Sequence, residues 1–238
     1  NARYIATGHY ARIVDTESGR RLCKAKDEKK DQSYVLWGLT LDQVNSTLLP
    51  LGDYDKGEIR DIARKAGIVT ADRPDSQDLC FIPRGTTTQE YLANFLTVEP
   101  GPLIHTVTGQ VLGEHQGTFN YTIGQRRGLG VAYSEPLYVT SIDPEMRVVY
   151  VGPKEALLRR ELTASFVNWI MPSPPAEPFQ ALAKIRYNSQ AAPATIFPLA
   201  EGRVRVVFSE AQPAITPGQV LGIYDEENVY ILGGGWID

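Results

Sequence analysis

The stretch Asp75-Ser76-Gln77-Asp78-Leu79-Cys80-Phe81-Ile82-Pro83 sets one of the chain's two cysteines on a short apolar step behind a charged loop. A cysteine there does one of two things. As a small hydrophobe it packs against Leu79, Phe81 and Ile82; as a thiolate it is a sulfur nucleophile. Asp75 and Asp78 raise a neighbouring thiol pKa, and Arg73 and Arg84 offset them only if the loop folds them close. Local chemistry leaves Cys80 open between the two roles. The other cysteine, Cys23, lies in the strand-like Arg21-Leu22-Cys23-Lys24 and reads as core packing, with Arg21 and Lys24 the only features that would activate it. Two cysteines make no disulfide framework and lack metal-site spacing, and His9, His105 and His115 are too scattered to imply a metal site.

Other residues could hold a ligand. Gly8 follows a strand pattern, where glycine lets a ligand approach the backbone closely. His9 beside it is either a ligand contact or a packed, hydrogen-bonded side chain. Lys30-Asp31-Gln32 offers an ammonium for phosphate and two groups for base or ribose edges, or simply turns between two elements. Gly124-Gln125-Arg126-Arg127-Gly128-Leu129-Gly130 is not a dinucleotide fingerprint, because no helix signal and no ribose-binding acid follow it. A plain surface loop and phosphate contact by Arg126 and Arg127 both remain open. Arg186-Tyr187 pairs a cation with a stacking surface, although strand tyrosines often only pack.

The net charge of −4 argues against a general nucleic-acid binder. Basic residues are nevertheless clustered: Arg20, Arg21, Lys24, Lys26, Lys29 and Lys30 in one run, and Lys184, Arg186, Arg203 and Arg205 in a weaker one. Phosphate contact depends on the local field, so an acidic chain with basic strips is compatible with RNA.

These residues must be positioned by short elements. Arg3–Thr7 reads as a buried strand, and 10–14 with 21–25 as a hairpin with a longer loop. Thr40 with Gln43 has capping-box spacing for a helix through Leu48. Asp55 with Glu58 repeats the signal ahead of Ile59, Ile62, Ala63 and Ala66, with Gly67 as the stop, and Thr87 with Glu90 begins a third helix. From Gly101 the texture is β: strands at 103–107, 110–113, 138–142 and 147–151, then six candidates at 161–170, 179–187, 195–198, 204–208, 220–224 and 229–232. The six suggest a small barrel. A length of 238 residues accommodates more than one modest core, and a hydrophobic content of 42% is ordinary for a globular protein. No apolar run approaches the length of a membrane span and no signal-peptide pattern opens the chain, so the expected compartment is the cytoplasm.

Five segments in order carry a resemblance: Ala6-Thr7-Gly8-His9-Tyr10, Lys30-Asp31-Gln32-Ser33-Tyr34, the Cys80 segment, Tyr121-Thr122-Ile123 running into the Arg126-Arg127 loop, and Leu232-Gly233-Gly234-Gly235-Trp236. Together they resemble the bacterial tRNA-specific 2-thiouridylases, from the first residues to the last. The resemblance implies an α+β fragment: a remnant of an α/β ATP-pyrophosphatase domain at 1–84 holding the persulfide cysteine, a small β-rich, tRNA-binding central domain at 85–155, and a C-terminal β-barrel at 160–238 like the second domain of translation elongation factors. It implies ATP-dependent exchange of the 2-oxygen of a wobble uridine for sulfur, with Cys80 as the persulfide carrier. Gly8 would contact ATP, accompanied by Mg2+, and His9, Lys30, Asp31, Gln32, Arg186, Tyr187 and Gln219 would contact tRNA, with Arg126 and Arg127 as further candidates. The partners implied are tRNAs for Lys, Glu and Gln and a cysteine desulfurase or sulfur-relay protein; no metal site and no membrane are implied. The family's glycine- and serine-rich ATP loop and its other catalytic cysteine have no counterpart here, so this chain is expected to match the C-terminal two-thirds of such an enzyme and to be inactive alone. The competing readings are a non-catalytic RNA-binding module and a thiol-disulfide protein using Cys23 and Cys80.

Overall fold

The alternating residues around Asp15–Gly19 build a hairpin, and the computed structural model, which describes residues 2–73, 81–83 and 85–238, shows it following a very short strand. β1 (Ile5–Ala6) precedes β2 (Ala11–Thr16) and β3 (Gly19–Lys24). The hairpin turn is tighter than its composition suggests: Thr16 pairs with Gly19, leaving Glu17 and Ser18 between them. Gly19 makes this possible with φ +105°, and the Thr16 hydroxyl donates to the Gly19 carbonyl at 2.6 Å. β1 is exposed rather than buried, with Ile5 at 67% exposure.

All the capping signals mark real helix starts. In α1 (Leu41–Asn45) the Thr40 hydroxyl accepts from the Gln43 N–H and the Gln43 amide oxygen accepts from the Thr40 N–H. This helix stops short of Leu48 because Thr47 and Leu48 form β4 (Thr47–Leu48), which pairs in parallel with β1. In α2 (Lys56–Lys65) the Glu58 carboxylate accepts from the Asp55 N–H at 2.7 Å, and Gly67 at φ +69° ends the chain's helical run. α3 (Thr88–Leu92) opens with the Thr87–Glu90 box.

The chain divides into two compact units. The smaller, residues 74–159 with 212–215, is built on β5 (Gly101–His105), β6 (Val111–His115), β7 (Tyr138–Asp143) and β8 (Val148–Gly152). They form one sheet in the order β6-β5-β8-β7, with β5 and β8 parallel. Leu103, Val139, Val149 and Val151 line its core, and Leu129 and Leu137 bury there from the long loop between β6 and β7.

The larger unit, residues 1–73, 160–211 and 216–238, joins the amino-terminal elements to a closed six-stranded barrel. Its strands are β9 (Leu158–Trp169), β10 (Phe179–Lys184), β11 (Ala192–Leu199), β12 (Arg203–Pro213), β13 (Val220–Tyr224) and β14 (Ile231–Ile237), in the order β10-β11-β12-β9-β14-β13, and β10 pairs with β13 to close the ring. β14 continues through Gly233-Gly234-Gly235, with a shift of register against β9 between Gly234 and Trp236, where composition alone ends the strand at Leu232. A methyl group at Gly233 would lie 2.4 Å from the Asn168 carbonyl oxygen, and one at Gly234 would lie 2.4 Å from that of Leu221. The glycines are therefore where neighbouring backbone comes too close for any side chain.

The segment around Ser33–Leu36, a 3₁₀ turn, packs against this barrel. Ala11, Leu22, Val44 and Leu49 share one buried cluster with Ile170, Tyr224 and Ile231. Trp37 meets Trp236 edge to face at 5.6 Å, and the Asn168 side-chain amide donates to the carbonyls of both Trp37 and Leu39 at 2.8 Å. Among the described residues no helix is long and apolar enough to cross a membrane.

Candidate nucleic-acid interface

Most of the residues picked out by type and spacing lie in the larger unit, and an unbroken series of contacts joins them. His9 is half-buried, its Nδ1 3.0 Å from the Thr7 hydroxyl. The next residue, Tyr10, donates its N–H to the Gln32 side-chain oxygen at 2.9 Å and accepts the Gln32 N–H at 2.7 Å. Beside Gln32, the carbonyl of Asp31 accepts from the Tyr187 hydroxyl at 3.4 Å. Adjacent to Tyr187, Arg186 donates to the Thr216 hydroxyl at 2.5 Å, and the Thr216 carbonyl accepts the Gln219 N–H at 3.2 Å. His9, Gln32, Tyr187, Arg186 and Gln219 thus come together from four separate stretches of sequence, linked in part through the buried Tyr10 and Asp31.

Their exposures divide them. Tyr187 and Gln219 are exposed, Gln32, Lys30 and Arg186 are half-buried, and Asp31 is buried. The Asp31 carboxylate accepts from the Ala25 N–H at 2.9 Å, the Ser33 N–H at 3.2 Å and the Ser33 hydroxyl at 2.7 Å. That side chain braces the bend that presents Lys30 and Gln32. With the Ser33 proton committed to Asp31, the buried Tyr224 hydroxyl donates to Ser33 at 3.1 Å, which locks the bend to β13. Burial pushes the Tyr224 hydroxyl pKa up and that of Tyr34 to about 12, so both stay protonated donors. Tyr34 gives its proton to the Val220 carbonyl at 2.5 Å and lies 6.2 Å from the Tyr187 ring.

Gly8 is exposed, and a methyl group added there would meet only Leu51 Cδ1, at an ordinary 3.6 Å. The protein's own packing therefore does not require glycine at this position, in contrast to Gly233 and Gly234. Its neighbours Thr7 and His9 line a largely apolar groove of about 480 Å³ with Ile5, Leu36 and Leu39. Among the described residues no group of three His, Cys, Asp or Glu could hold a metal ion.

Arg126 and Arg127 belong to the smaller unit and are exposed. Their loop is fixed from both ends: Gly124 and Gln125 exchange backbone hydrogen bonds with Val139 at 2.8 and 2.9 Å, and Leu129 is buried. Gly128 at φ +74° and Gly130 at φ +72° make the reversals that leave the arginines outside. Arg126 borders an open cavity of about 550 Å³ together with Tyr133, Ser134 and Glu135. Cys80 lies outside the described residues. Cys23 is buried at 1% exposure, and burial raises its thiol pKa against the opposing pull of Arg12 and Arg21.

The basic runs are less free than their composition implies. Arg20 donates to the Asn45 carbonyl, Arg21 lies over the Tyr230 ring, and Lys26 pairs with Asp55 and Glu58. Arg203 pairs with Asp238 and Arg205 with Glu161. Sequence reasoning grouped Lys184 with those arginines and overlooked Tyr34. The two-residue spacing of Lys184 and Arg186, which puts alternate residues of an extended strand on one side, was the available signal.

Three family models match in succession: a tRNA methyl transferase HUP domain over residues 1–84, a tRNA methyl transferase PRC-barrel domain over 89–153, and an aminomethyltransferase β-barrel domain over 159–237. The tRNA-specific 2-thiouridylase MnmA of Nostoc punctiforme is 46% identical over 236 residues, covering 98% of this chain and 66% of the relative. The protein of the same name from Halothermothrix orenii is 44% identical over 239 residues, covering 100% and 66%, and that from Desulforamulus reducens 46% identical over 243 residues, covering 99% and 64%. The chain thus spans just under two thirds of the length of these relatives. Matched along nearly all of its own length by all three domains and by these proteins, the chain belongs to the tRNA-specific 2-thiouridylase family.

Proposed function

We propose that this chain is the tRNA-engaging part of an enzyme that replaces the 2-oxygen of a wobble uridine with sulfur, acting in the cytoplasm on tRNAs for Lys, Glu and Gln. The observation that carries this reading is the contact series from His9 through Gln32 and Tyr187 to Gln219. It offers an exposed ring for an unpaired base, amide groups for base edges and cations for phosphates, the set that recognises a single-stranded RNA loop. The names of the relatives support the choice of reaction. Arg126 and Arg127, exposed on the smaller unit, are proposed separately as phosphate contacts.

The 2-oxygen of uridine is a poor leaving group, and ATP, with Mg2+, would supply the adenylyl group that makes it a good one. Gly8 fits a role in holding ATP, because its exposed backbone has room that the fold itself does not use. Cys80 would carry the incoming sulfur as a persulfide received from a cysteine desulfurase or relay protein. Its terminal sulfur would attack C2 of the adenylated uridine, AMP would leave with the oxygen, and a second thiol would then attack the Cys80 sulfur, forming a disulfide with it and releasing the thiouridine. Cys23, buried and with its thiol pKa raised, is unsuited to that exchange.

The test follows sulfur and RNA separately. After incubation with a cysteine desulfurase and cysteine, mass spectrometry should find added sulfur on the Cys80 peptide, lost in Cys80→Ser and retained in Cys23→Ser. An anticodon stem-loop RNA with uridine at the wobble position should bind the same chain. Sulfur on Cys23 instead of Cys80 overturns the sulfur assignment. RNA binding with no sulfur on either cysteine favours a non-catalytic RNA-binding module.

A further inference from the structure

Lys184 stands at the end of β10. Its ammonium lies 5.3 Å from the centre of the Tyr34 ring and 5.7 Å from that of Tyr187, so two aromatic faces flank it. The side chain is half-buried, and among the described residues no hydrogen-bond acceptor or carboxylate lies within bonding reach of Nζ. An ammonium carries three donors, and here they face the two rings and water rather than an acceptor of the protein, which leaves them available to a ligand.

The neighbouring charges do not take up these donors. Asp31 is the anion that acts on Lys184, but both its carboxylate oxygens are engaged by Ala25 and Ser33. Lys24 acts on it as a like charge, sitting over the Tyr224 ring at 4.8 Å and donating to the Asn228 side chain at 2.6 Å. Arg186 follows two residues later on the same surface. Burial lowers the Lys184 pKa; Asp31 partly restores it and Lys24 lowers it further. Glu28 and Asp225 act on Lys24 rather than on Lys184, so the Lys184 ammonium has Asp31 alone as an opposing charge, and that carboxylate is engaged elsewhere. A lysine whose only task was to cover Tyr34 would do this with its aliphatic stem and send its ammonium into water.

We propose that Lys184 is a phosphate-binding residue of the RNA interface, its ammonium held between Tyr34 and Tyr187 so that it meets a backbone phosphate while Tyr187 meets the adjoining base. This assignment rests on the RNA-binding reading above. The rings restrict the long side chain before RNA arrives, so less freedom is lost on binding. The phosphate supplies the missing acceptors and offsets the repulsion from Lys24. The anion is the RNA backbone rather than a small metabolite, because the stacking ring beside it is exposed and continuous with Arg186 and Gln219.

The test is the salt dependence of binding to the wobble-uridine anticodon stem-loop RNA. Lys184→Met keeps an apolar stem between the rings and removes the charge, while Lys184→Arg keeps the charge. The Met variant should lower the slope of log affinity against log salt by about 0.7 to 0.9, one phosphate's share, and the Arg variant should preserve it. Weaker binding of the Met variant with an unchanged slope would mean that the ammonium meets a neutral acceptor, and would overturn the phosphate assignment. If the unaltered chain fails to bind the RNA, the RNA-binding reading falls and this proposal with it. A measurement on the unaltered chain guards against misfolded variants: trace acylation of amines, read by mass spectrometry, should show Lys184 protected by RNA. Equal labelling of Lys184 with and without RNA overturns the proposal.

Discussion

Gly234 shows how a residue-level motif can be specific without touching a ligand. A side chain there would strike the Leu221 carbonyl and approach Trp37 Cβ to 3.0 Å, so the glycine lets β13, β14 and the amino-terminal segment meet. Gly234→Ala should destabilise the larger unit by about 1–3 kcal/mol, the range for overpacking a tight core, seen as a lower urea midpoint in tryptophan fluorescence. An unchanged midpoint would mean that the neighbouring strands yield without strain. Gly8 behaves oppositely, with room for a methyl group and no packing reason to lack one. From sequence the two glycines look alike; only the identity of the nearest atom separates a packing glycine from a candidate contact. The same limit applied to Asp31, whose type suggested a base-edge contact while its carboxylate proves to be bound by Ala25 and Ser33. Arg186 and Tyr187 drew notice as a cation next to an aromatic ring, and the structure places the pair just beyond the end of β10, with Tyr187 exposed. The place of Lys184 between two rings was not legible, since Tyr34 lies 150 residues away in sequence.

At the scale of elements, local signals were read well and long-range ones poorly. The boxes at Thr40, Asp55 and Thr87 each start a helix, because capping is decided within four residues. The end of α1 was misjudged because a distant strand, β1, recruits Thr47 and Leu48. β14 was cut short at its glycines because their low strand preference is local, while the close approach that demands them is not. Asn168 on β9 shows how such long-range ties are made. Its side-chain amide donates to the carbonyls of Trp37 and Leu39, fastening the segment after the 3₁₀ turn to the barrel. Asn168→Ala leaves both carbonyls without that donor and should cost about 1–3 kcal/mol of stability. The near-ultraviolet circular dichroism of Trp37 against Trp236 should weaken with it. Full retention of both the signal and the midpoint would show that water replaces the amide at no cost.

Across the whole molecule, the less expected feature is that residues 1–73 and the barrel form one unit. The barrel itself was legible, since short strands separated by turn residues recur from β9 to β14, but nothing in their spacing reveals the strand order or what packs outside the ring. The join is both polar and apolar. The Tyr34 hydroxyl donates to Val220, Tyr224 donates to Ser33, Lys24 to Asn228, and Cys23 forms a bridge with Tyr230 beside a shared apolar cluster. Each tie breaks if the amino-terminal segment leaves the barrel, so the two should unfold together. Two reporters can test this. All three tryptophans, Trp37, Trp169 and Trp236, lie in this unit, and fluorescence therefore follows it alone. Cys23, 1% exposed and with its pKa raised by burial, should resist a thiol reagent at neutral pH until that burial is lost. In a Cys80→Ser background, where Cys23 is the remaining thiol, brief labelling at increasing urea should give the same midpoint as fluorescence. Labelling that begins well below the fluorescence transition would mean that the hairpin bearing Cys23 detaches while the barrel stays folded, and the union of the two would then be a packing contact rather than one cooperative fold.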